Sequence, residues 1–367
     1  MQTFNPPLVS VVMITSNVER FLGEAIESVL GQTFRDFEFI ILDYGSTDKS
    51  KDIVSSYAAK DSRIKLHTVP PCTYIEAKII ACSLAQGSYI AIQDADDNSL
   101  PNRLLWEVEF MEKNPDVAVL GSAADWINST GKYLLTSRPP TSHEGIRKAL
   151  LTSSPFVHTS VLMRRNIFTE VGGYRRALLY AEDFDLFARM SERFPCANLS
   201  QVAAQYRIHG RQLSLVTRRQ QVVAKLAACA AATARQNGHA DPLDSFKEIS
   251  ESLLPELGVT PAQFQALLFW SYQDWVYNMF LAGEYSVALK TALEVLASDW
   301  EGVDRKQIAD LRLMVGRLFW NQKSFVRGFI STCHAIMMKP VLVKTAFESL
   351  RRKLLPNPSA ESEASVS

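Results

Sequence analysis

The sequence predicts an α/β domain, a mostly parallel sheet with helices on both faces, followed by an all-α domain. Three observations carry that prediction. Strand-like and helix-like segments alternate through the first hundred residues, the order that right-handed crossovers and a parallel sheet require. Three strand-like runs end in polar clusters, Thr15-Ser16-Asn17, Asp43-Tyr44-Gly45 and Asp94 to Asp97, where such sheets bind their ligands. Beyond about residue 215 the texture turns helical.

Leu8 to Thr15 is a β-branched, nearly continuous apolar run, as expected of a strand buried on both faces. Phe21, Leu22, Ala25, Ile26, Val29 and Leu30 recur at three and four residues and predict an amphipathic helix that stops at Gly31. Phe37 to Leu42 is the second strand. Gly45 then turns the chain, and Ser46 or Thr47 is expected to cap a helix running to about Ala59. Ile64 to Thr68 reads as a short third strand, and a helix follows from about Tyr74 to Ala85. Tyr89 to Ile92 forms the fourth strand. Pro101 opens the next helix, where its missing N–H costs nothing, and Leu104, Leu105, Val108 and Met111 mark its apolar side. A strand at Val117 to Gly121 and short segments around Trp126 and Tyr133 come next.

The domain boundary is expected near residues 212–220, giving a first domain over 1–215 and a helical domain over 216–356. Residues 357–367 are small and polar and are expected to be disordered. Ala282 to Leu289 resembles one half of a tetratricopeptide helix pair, without a clear second copy.

With 47% hydrophobic and 21% charged residues, the 367-residue chain reads as an ordinary globular protein. A formal net charge of zero argues against nucleic acid as a partner. Five scattered cysteines without a CxxC pair offer neither a zinc knuckle nor a disulfide framework and fit a reducing compartment. Neither a secretory signal nor a membrane-spanning run is visible, so a cytoplasmic location, on or near the inner face of the cell membrane, is the expectation.

Asp94-Ala95-Asp96-Asp97 is the segment richest in chemistry. In extended backbone, side chains two apart point the same way, so Asp94 and Asp96 are expected to converge just past the strand end. Crowded carboxylates repel unless a cation lies between them, and all-oxygen ligands suit Mg2+ or Mn2+ with positions left for substrate phosphates. The alternative for an isolated acidic segment is a solvated turn.

In these motifs the chain resembles the family 2 glycosyltransferases over about residues 7–215. Ser10 to Asn17 stands where that family has a strand ending in Pro-Thr-Tyr-Asn, and Phe39 to Asp48 matches its Val-Asp-Asp-Gly-Ser-Thr-Asp segment. Gly87-Ser88-Tyr89-Ile90-Ala91 leads into the DxD-type motif, Pro101-Asn102-Arg103-Leu104 follows, and Glu182-Asp183 and Tyr206-Arg207-Ile208-His209 complete the set. The resemblance implies a GT-A fold and inverting transfer of a sugar from a nucleotide donor, UDP-type by expectation, to a hydroxyl of a glycan or lipid-linked acceptor, as in bacterial surface polysaccharide synthesis. It implies that Asp43 reads the base beside Thr15 and Asn17, that Asp94 and Asp96 hold nucleotide and metal with Asp97 in support, and that Asp183, next to Glu182, is the general base. His209 resembles the polar residue that returns to the metal or diphosphate, and Arg207 and Arg211 beside it suit a diphosphate.

Departures from the pattern fall at donor recognition. Ile14 and Ser16 replace the usual Pro and Tyr, and Tyr44 is expected to supply the missing stacking surface. Lys78 stands where the family carries Arg, keeping the charge for phosphate without the fork. His158, in Phe156-Val157-His158-Thr159-Ser160, reads as a structural histidine or as a contact to a sugar.

Between Val303 and Pro356 eleven Lys or Arg face three Asp or Glu, interleaved with Trp320, Phe325, Phe329, Ile330, Ile336 and Met337. That pattern implies either a peripheral membrane contact or a solvated basic face on packed helices. Two other function classes stay open. One is nucleotidyl transfer, opposed by a first turn, Thr15 to Arg20, that contains no glycine. The other is a catalytically silent GT-A-like protein that binds or scaffolds through its helical domain.

Overall fold

The computed structural model describes residues 6–150, 153–213, 217–339 and 341. The tail expected at 357–367 and nearly all of the basic stretch past residue 339 lie outside them. The chain divides into two compact units, Met1–Thr260 and Pro261–Ser367.

In the first unit, β1 (Val9–Thr15), α1 (Glu19–Leu30), β2 (Phe37–Asp43), α2 (Ser50–Ala58), β3 (Ile64–Thr68), α3 (Tyr74–Ser83) and β4 (Tyr89–Ile92) alternate as the periodicity requires. The strands run parallel in the order β3-β2-β1-β4. Side chains alternate between two cores. Val11, Met13, Phe39 and Ile41 pack with Leu22 and Ile26 of α1, whereas Val12, Ile40 and Leu42 pack with Ala77 and Ala81 of α3. Truncating one of these, such as Ile40→Ala, costs about 2–5 kcal/mol.

The sheet continues as a mixed one. β5 (Asn98–Ser99), α4 (Arg103–Lys113), β6 (Val119–Asn128), β7 (Tyr133–Ser137), α5 (His143–Ala149), β8 (Leu162–Arg164), α6 (Arg165–Glu170), α7 (Glu182–Arg193) and β9 (Cys196–Ile208) follow in sequence. β8 lies antiparallel between β4 and β6, β6 pairs in parallel with β9, and β9 pairs antiparallel with β5. Because β8 is antiparallel, the residues just before it meet the carboxyl end of β4. Because β9 ends beside β5, the residues just after it reach the same rim. These two placements build the site described below.

Four local features differ from the sequence reading. β6 runs unbroken to Asn128, held by β7 on one side and β9 on the other, where only short segments were expected. Neither Ser46 nor Thr47 caps α2. Asp48 instead accepts from Ser50 N (2.9 Å) and Glu19 N (3.0 Å), tying two helix starts together. The Ala-rich helix α8 (Arg218–Gln236) belongs to the first unit, because Ala224, Ala227, Ala228 and Ala231 join the core that contains Phe184 and Phe187 of α7. The unit boundary therefore falls between Thr260 and Pro261 rather than near residue 215.

The second unit holds α9 (Pro261–Ala282), α10 (Tyr285–Ala297), α11 (Arg305–Asn321) and α12 (Phe325–Met338). They form two similar hairpins among the described residues. Gly283 (φ 82°) and Lys323 (φ 61°) occupy the same left-handed position between helices. The ring pairs Phe280–Tyr285 (5.6 Å) and Trp320–Phe325 (5.1 Å) flank those turns equivalently. The sequence shows only the first half-pair because matching positions differ in identity. Gly328 takes the place of Ala288, since a Cβ there would meet the Trp320 ring at 2.6 Å.

Candidate active site

Thr15 and Asp43 are register partners at the carboxyl ends of β1 and β2. Asp43 Oδ1 accepts from Gly45 N (3.2 Å) and Ser46 N (3.1 Å), a turn that needs Gly45 at φ 100° with Pro71 packed against it. Asp43 Oδ2 and Thr15 Oγ1 are buried and have no hydrogen-bond partner. Two adjacent unpaired polar atoms cost about 1–3 kcal/mol each and mark a slot for a polar ligand. Asn17, at φ 55°, spends its side-chain oxygen on Thr47 N (2.8 Å) and Thr47 Oγ1 (3.0 Å), so it organises the loop beside that slot. Tyr44 is half-buried at the slot's edge, and burial, with Tyr180 beside it, pushes its hydroxyl up to about 12.

The acidic segment does not stay extended. The chain turns at Ala95-Asp96, with Asp97 N bonded to Asp94 O (3.3 Å), and Asp94 and Asp96 take different histidine partners. Asp94 pairs with Nδ1 of His158 (2.8 Å), and Asp96 with Nε2 of His209 (3.0 Å). Asp97 points inward, where its Oδ1 accepts from Arg207 N (2.7 Å) and its Oδ2 is unpartnered. Burial, then the Asp96 and Asp94 charges, push Asp97 well above the usual carboxylate range. Burial also pushes Asp94 upward, but His158, Lys78 and Arg103 outweigh it and hold Asp94 below that range. Beneath the turn, Arg103 donates to Ile92 O (2.9 Å) and pairs with Glu107 (3.0 Å), bracing the strand end.

Across from the acidic turn, α7 begins with Glu182 and Asp183. Lys78 of α3 donates to Glu182 Oε1 (2.6 Å) and to the Tyr74 hydroxyl (2.6 Å), and contacts His158 Nε2 at 3.1 Å. A lysine ammonium only donates, so His158 Nε2 accepts, and its proton sits on Nδ1 facing Asp94. The contacts Asp94–His158–Lys78–Glu182 thus form one continuous chain from the acidic turn to α7. Asp183 is half-buried with its Oδ1 on Phe184 N (2.7 Å), and burial, then Glu182, push its carboxyl above the usual range against His158 and Lys78.

Most of the residues singled out in the sequence meet at this rim, and Arg207 and Lys78, like Asn17, take different parts from those expected. Arg207 presents no free guanidinium to a diphosphate: it is buried against Asp96 O (2.8 Å) and Glu24 (2.8 Å), because β9 carries it under the turn. Lys78 is likewise buried, held by Glu182 rather than open to phosphate. Tyr74, Tyr174 and Gln93 line or brace the same region and carried no signal in the sequence. Among the described residues, no group of three or more His, Cys, Asp or Glu side chains could hold a metal ion. Asp96 and His209 nevertheless supply one hard oxygen and one imidazole side by side, which suits Mn2+ or Mg2+ when a ligand's diphosphate completes the shell.

The profile of Glycosyl transferase family 2 matches residues 10–172. EpsE of Bacillus subtilis is 37% identical over 51% of this chain and 67% of its own length. A glycosyltransferase of Methanocaldococcus jannaschii, MJ1057, is 34% identical over 56% of this chain and 72% of its own length. The O-antigen biosynthesis glycosyltransferase WbnJ of Escherichia coli is 30% identical over 56% of this chain and 81% of its own length. Among solved structures, residues 1–349 of S. aureus TarS in complex with UDP align over 88% of this chain and 90% of that one, at 18% identity and a TM-score of 0.47.

Proposed function

This chain belongs to glycosyl transferase family 2, and from that premise we propose that its first unit transfers a sugar, with inversion, from a nucleoside diphosphate to a hydroxyl of a glycan or lipid-linked acceptor. UDP is the proposed nucleotide. The name of WbnJ supports a role in building a bacterial surface polysaccharide. The observation that carries the reading is the continuous contact chain from Asp94 through His158 and Lys78 to Glu182, which holds the acidic turn and the start of α7 at one rim.

In this reading Thr15 Oγ1 and Asp43 Oδ2 take up the base, with Tyr44 stacked beside it. Asp94, oriented by His158, faces the ribose and diphosphate. Asp96 and His209 would hold a divalent ion, whose chemistry is to neutralise charge on the departing diphosphate. Asp183 accepts the proton of the attacking hydroxyl, a role suited to a carboxyl raised toward the working pH. Glu182, locked by Lys78, fixes the first turn of α7 so that Asp183 is aimed. Arg207 and Arg103 position the turn from below.

Membrane contact belongs to the same proposal. α12 exposes Phe325, Val326, Phe329, Ile330 and Met337 close to Lys323 and Arg327, a surface suited to an anionic bilayer. No described helix is long and apolar enough to cross a membrane.

A thermal-shift screen of nucleoside diphosphates with and without Mn2+ tests the donor assignment, since a ligand raises the melting point by mass action. One preferred nucleotide is the expected result. No response to any of them would favour the silent, scaffolding alternative.

A further inference from the structure

A groove of about 340 Å³ runs between α9 and α11 of the second unit. Trp270 and Tyr277 stand on one side of it, two helical turns apart, and are 45% and 46% exposed. Asp274 lies between them, and Asp310, Met314 and Arg317 form the facing wall. Asp310 is held by Lys339 at 2.8 and 2.9 Å, while Nε of Arg317 is buried without a hydrogen-bond partner.

The lining asks for a ligand with both characters. Its two aromatic faces seek a flat apolar surface. Asn278 donates to Asp274 (3.1 Å) and Lys339 to Asp310, yet a carboxylate keeps further lone pairs and a guanidinium only donates, so one hydroxyl-bearing ligand, able to do both, answers them together. The volume sits at the lower end of small-molecule pockets, about 300–1,000 Å³, and suits a ligand of one or two rings. A pyranose ring combines an apolar C–H face with a rim of hydroxyls.

We propose that this groove is a saccharide-binding site that takes one or two neutral hexopyranose rings of a glycan. The choice of sugar over another polyol rests on the transferase reading. A site of this kind lets the second unit hold a growing glycan independently of nucleotide binding in the first.

Saturation-transfer NMR on the full chain, with UDP and diamagnetic Mg2+ present, tests it using the methyl glycosides of glucose, galactose, mannose, N-acetylglucosamine and N-acetylgalactosamine. At least one glycoside should receive saturation, and Trp270→Ala and Tyr277→Ala should each weaken that binding about tenfold, the loss of one stacked ring. Both side chains are half exposed, so both variants should melt like the native chain, and Arg317→Gln provides a third test that leaves the rings in place. Saturation of none of the five glycosides overturns the proposal, as does saturation that survives all three variants. Saturation of a tetralysine peptide and of no glycoside assigns the groove to a protein partner and overturns it too. The UDP-induced thermal shift is read in the same samples. Its absence counts against the transferase reading alone, because ring-dependent glycoside binding is scored separately.

Discussion

Lys78 Nζ lies 2.6 Å from Glu182 Oε1 with both side chains buried, joining α3 to the first turn of α7. Tyr74 and His158 take the remaining protons of the ammonium. Lys78→Met leaves the Glu182 carboxylate buried without a partner, a loss of about 3–5 kcal/mol. The double variant Lys78→Met, Glu182→Leu should recover much of it, because both charges then disappear together. Glu182, with Tyr174 and Asp94, raises the Lys78 pKa against the opposing effect of burial. The stabilisation is therefore fully present below the ordinary lysine value and is lost only as pH rises through the raised one. The gap in melting point between native and the double variant, which carries neither charge, should stay constant from about pH 6 to 9. A Lys78→Met variant as stable as the native chain across that range would rule out the buried pair.

Asp183 behaves in the opposite sense. Its raised carboxyl binds more protons in the folded than in the unfolded state, so its contribution to stability falls as pH climbs from the ordinary aspartate value through the raised one. At neutral pH it is a cost tolerated for function. Asp183→Asn should melt no lower than the native chain at neutral pH, keep its nucleotide affinity, and lose transfer by about 10²–10⁴-fold. Turnover at the native rate would remove Asp183 as the base.

At the nucleotide end, Thr15→Val removes a buried hydroxyl that has no partner in the protein, so the melting point without ligand should not drop. Asp43→Asn keeps an acceptor for Gly45 N and Ser46 N while changing the atom that faces the slot. Each substitution should weaken UDP binding, measured calorimetrically, by about 1–2 kcal/mol, or roughly 5–30-fold. Unchanged affinity in both would move the base to another pocket.

How much of this was legible in the sequence follows from range. Runs such as Val9 to Thr15 and the three-four spacing of Phe21, Leu22, Ala25 and Ile26 encode their own conformation, and the parallel strands appear where that pattern puts them. The separate partners of Asp94 and Asp96 are not legible in the sequence, because extended backbone aims both the same way and the chain turns at Ala95. The partners of Lys78 and Asp94 stand on other elements, Glu182 on α7 and His158 ahead of β8, and only the antiparallel insertion of β8 brings His158 to the rim. A histidine just before a short apolar strand was the available signal, and it also fits an ordinary structural residue. The packing of α8 on α7 is illegible for a similar reason: alanine spacing reports a helix, not the surface it packs on.

Membrane contact has its own test. Phe329 is 62% exposed on α12, so Phe329→Glu should leave stability within about 0.5 kcal/mol, as other exposed positions do. Flotation with vesicles rich in anionic lipid should fall several-fold for this variant if α12 lies on the bilayer. Equal flotation of both proteins, or none of either, would leave α12 out of any membrane contact.

The pairing of Asp96 with His209 permits the last test. Arg211 N donates to His209 Nδ1 (3.3 Å), so the ring proton lies on Nε2 and is donated to Asp96 Oδ2. Holding a cation displaces that proton and uses both side chains as ligands. Asp96→Asn keeps the volume and the hydrogen bond but weakens the donor, and His209→Ala removes the imidazole together with its packing on Phe21. The expected outcome is specific to metal. In both variants the additional thermal shift that Mn2+ gives to UDP should shrink to near zero, while the shift with UDP and a chelator stays at the native level. A manganese-dependent shift of native size in Asp96→Asn would place the ion elsewhere. Loss of the metal-free shift as well would mean that the pair positions the acidic turn and does not bind a cation.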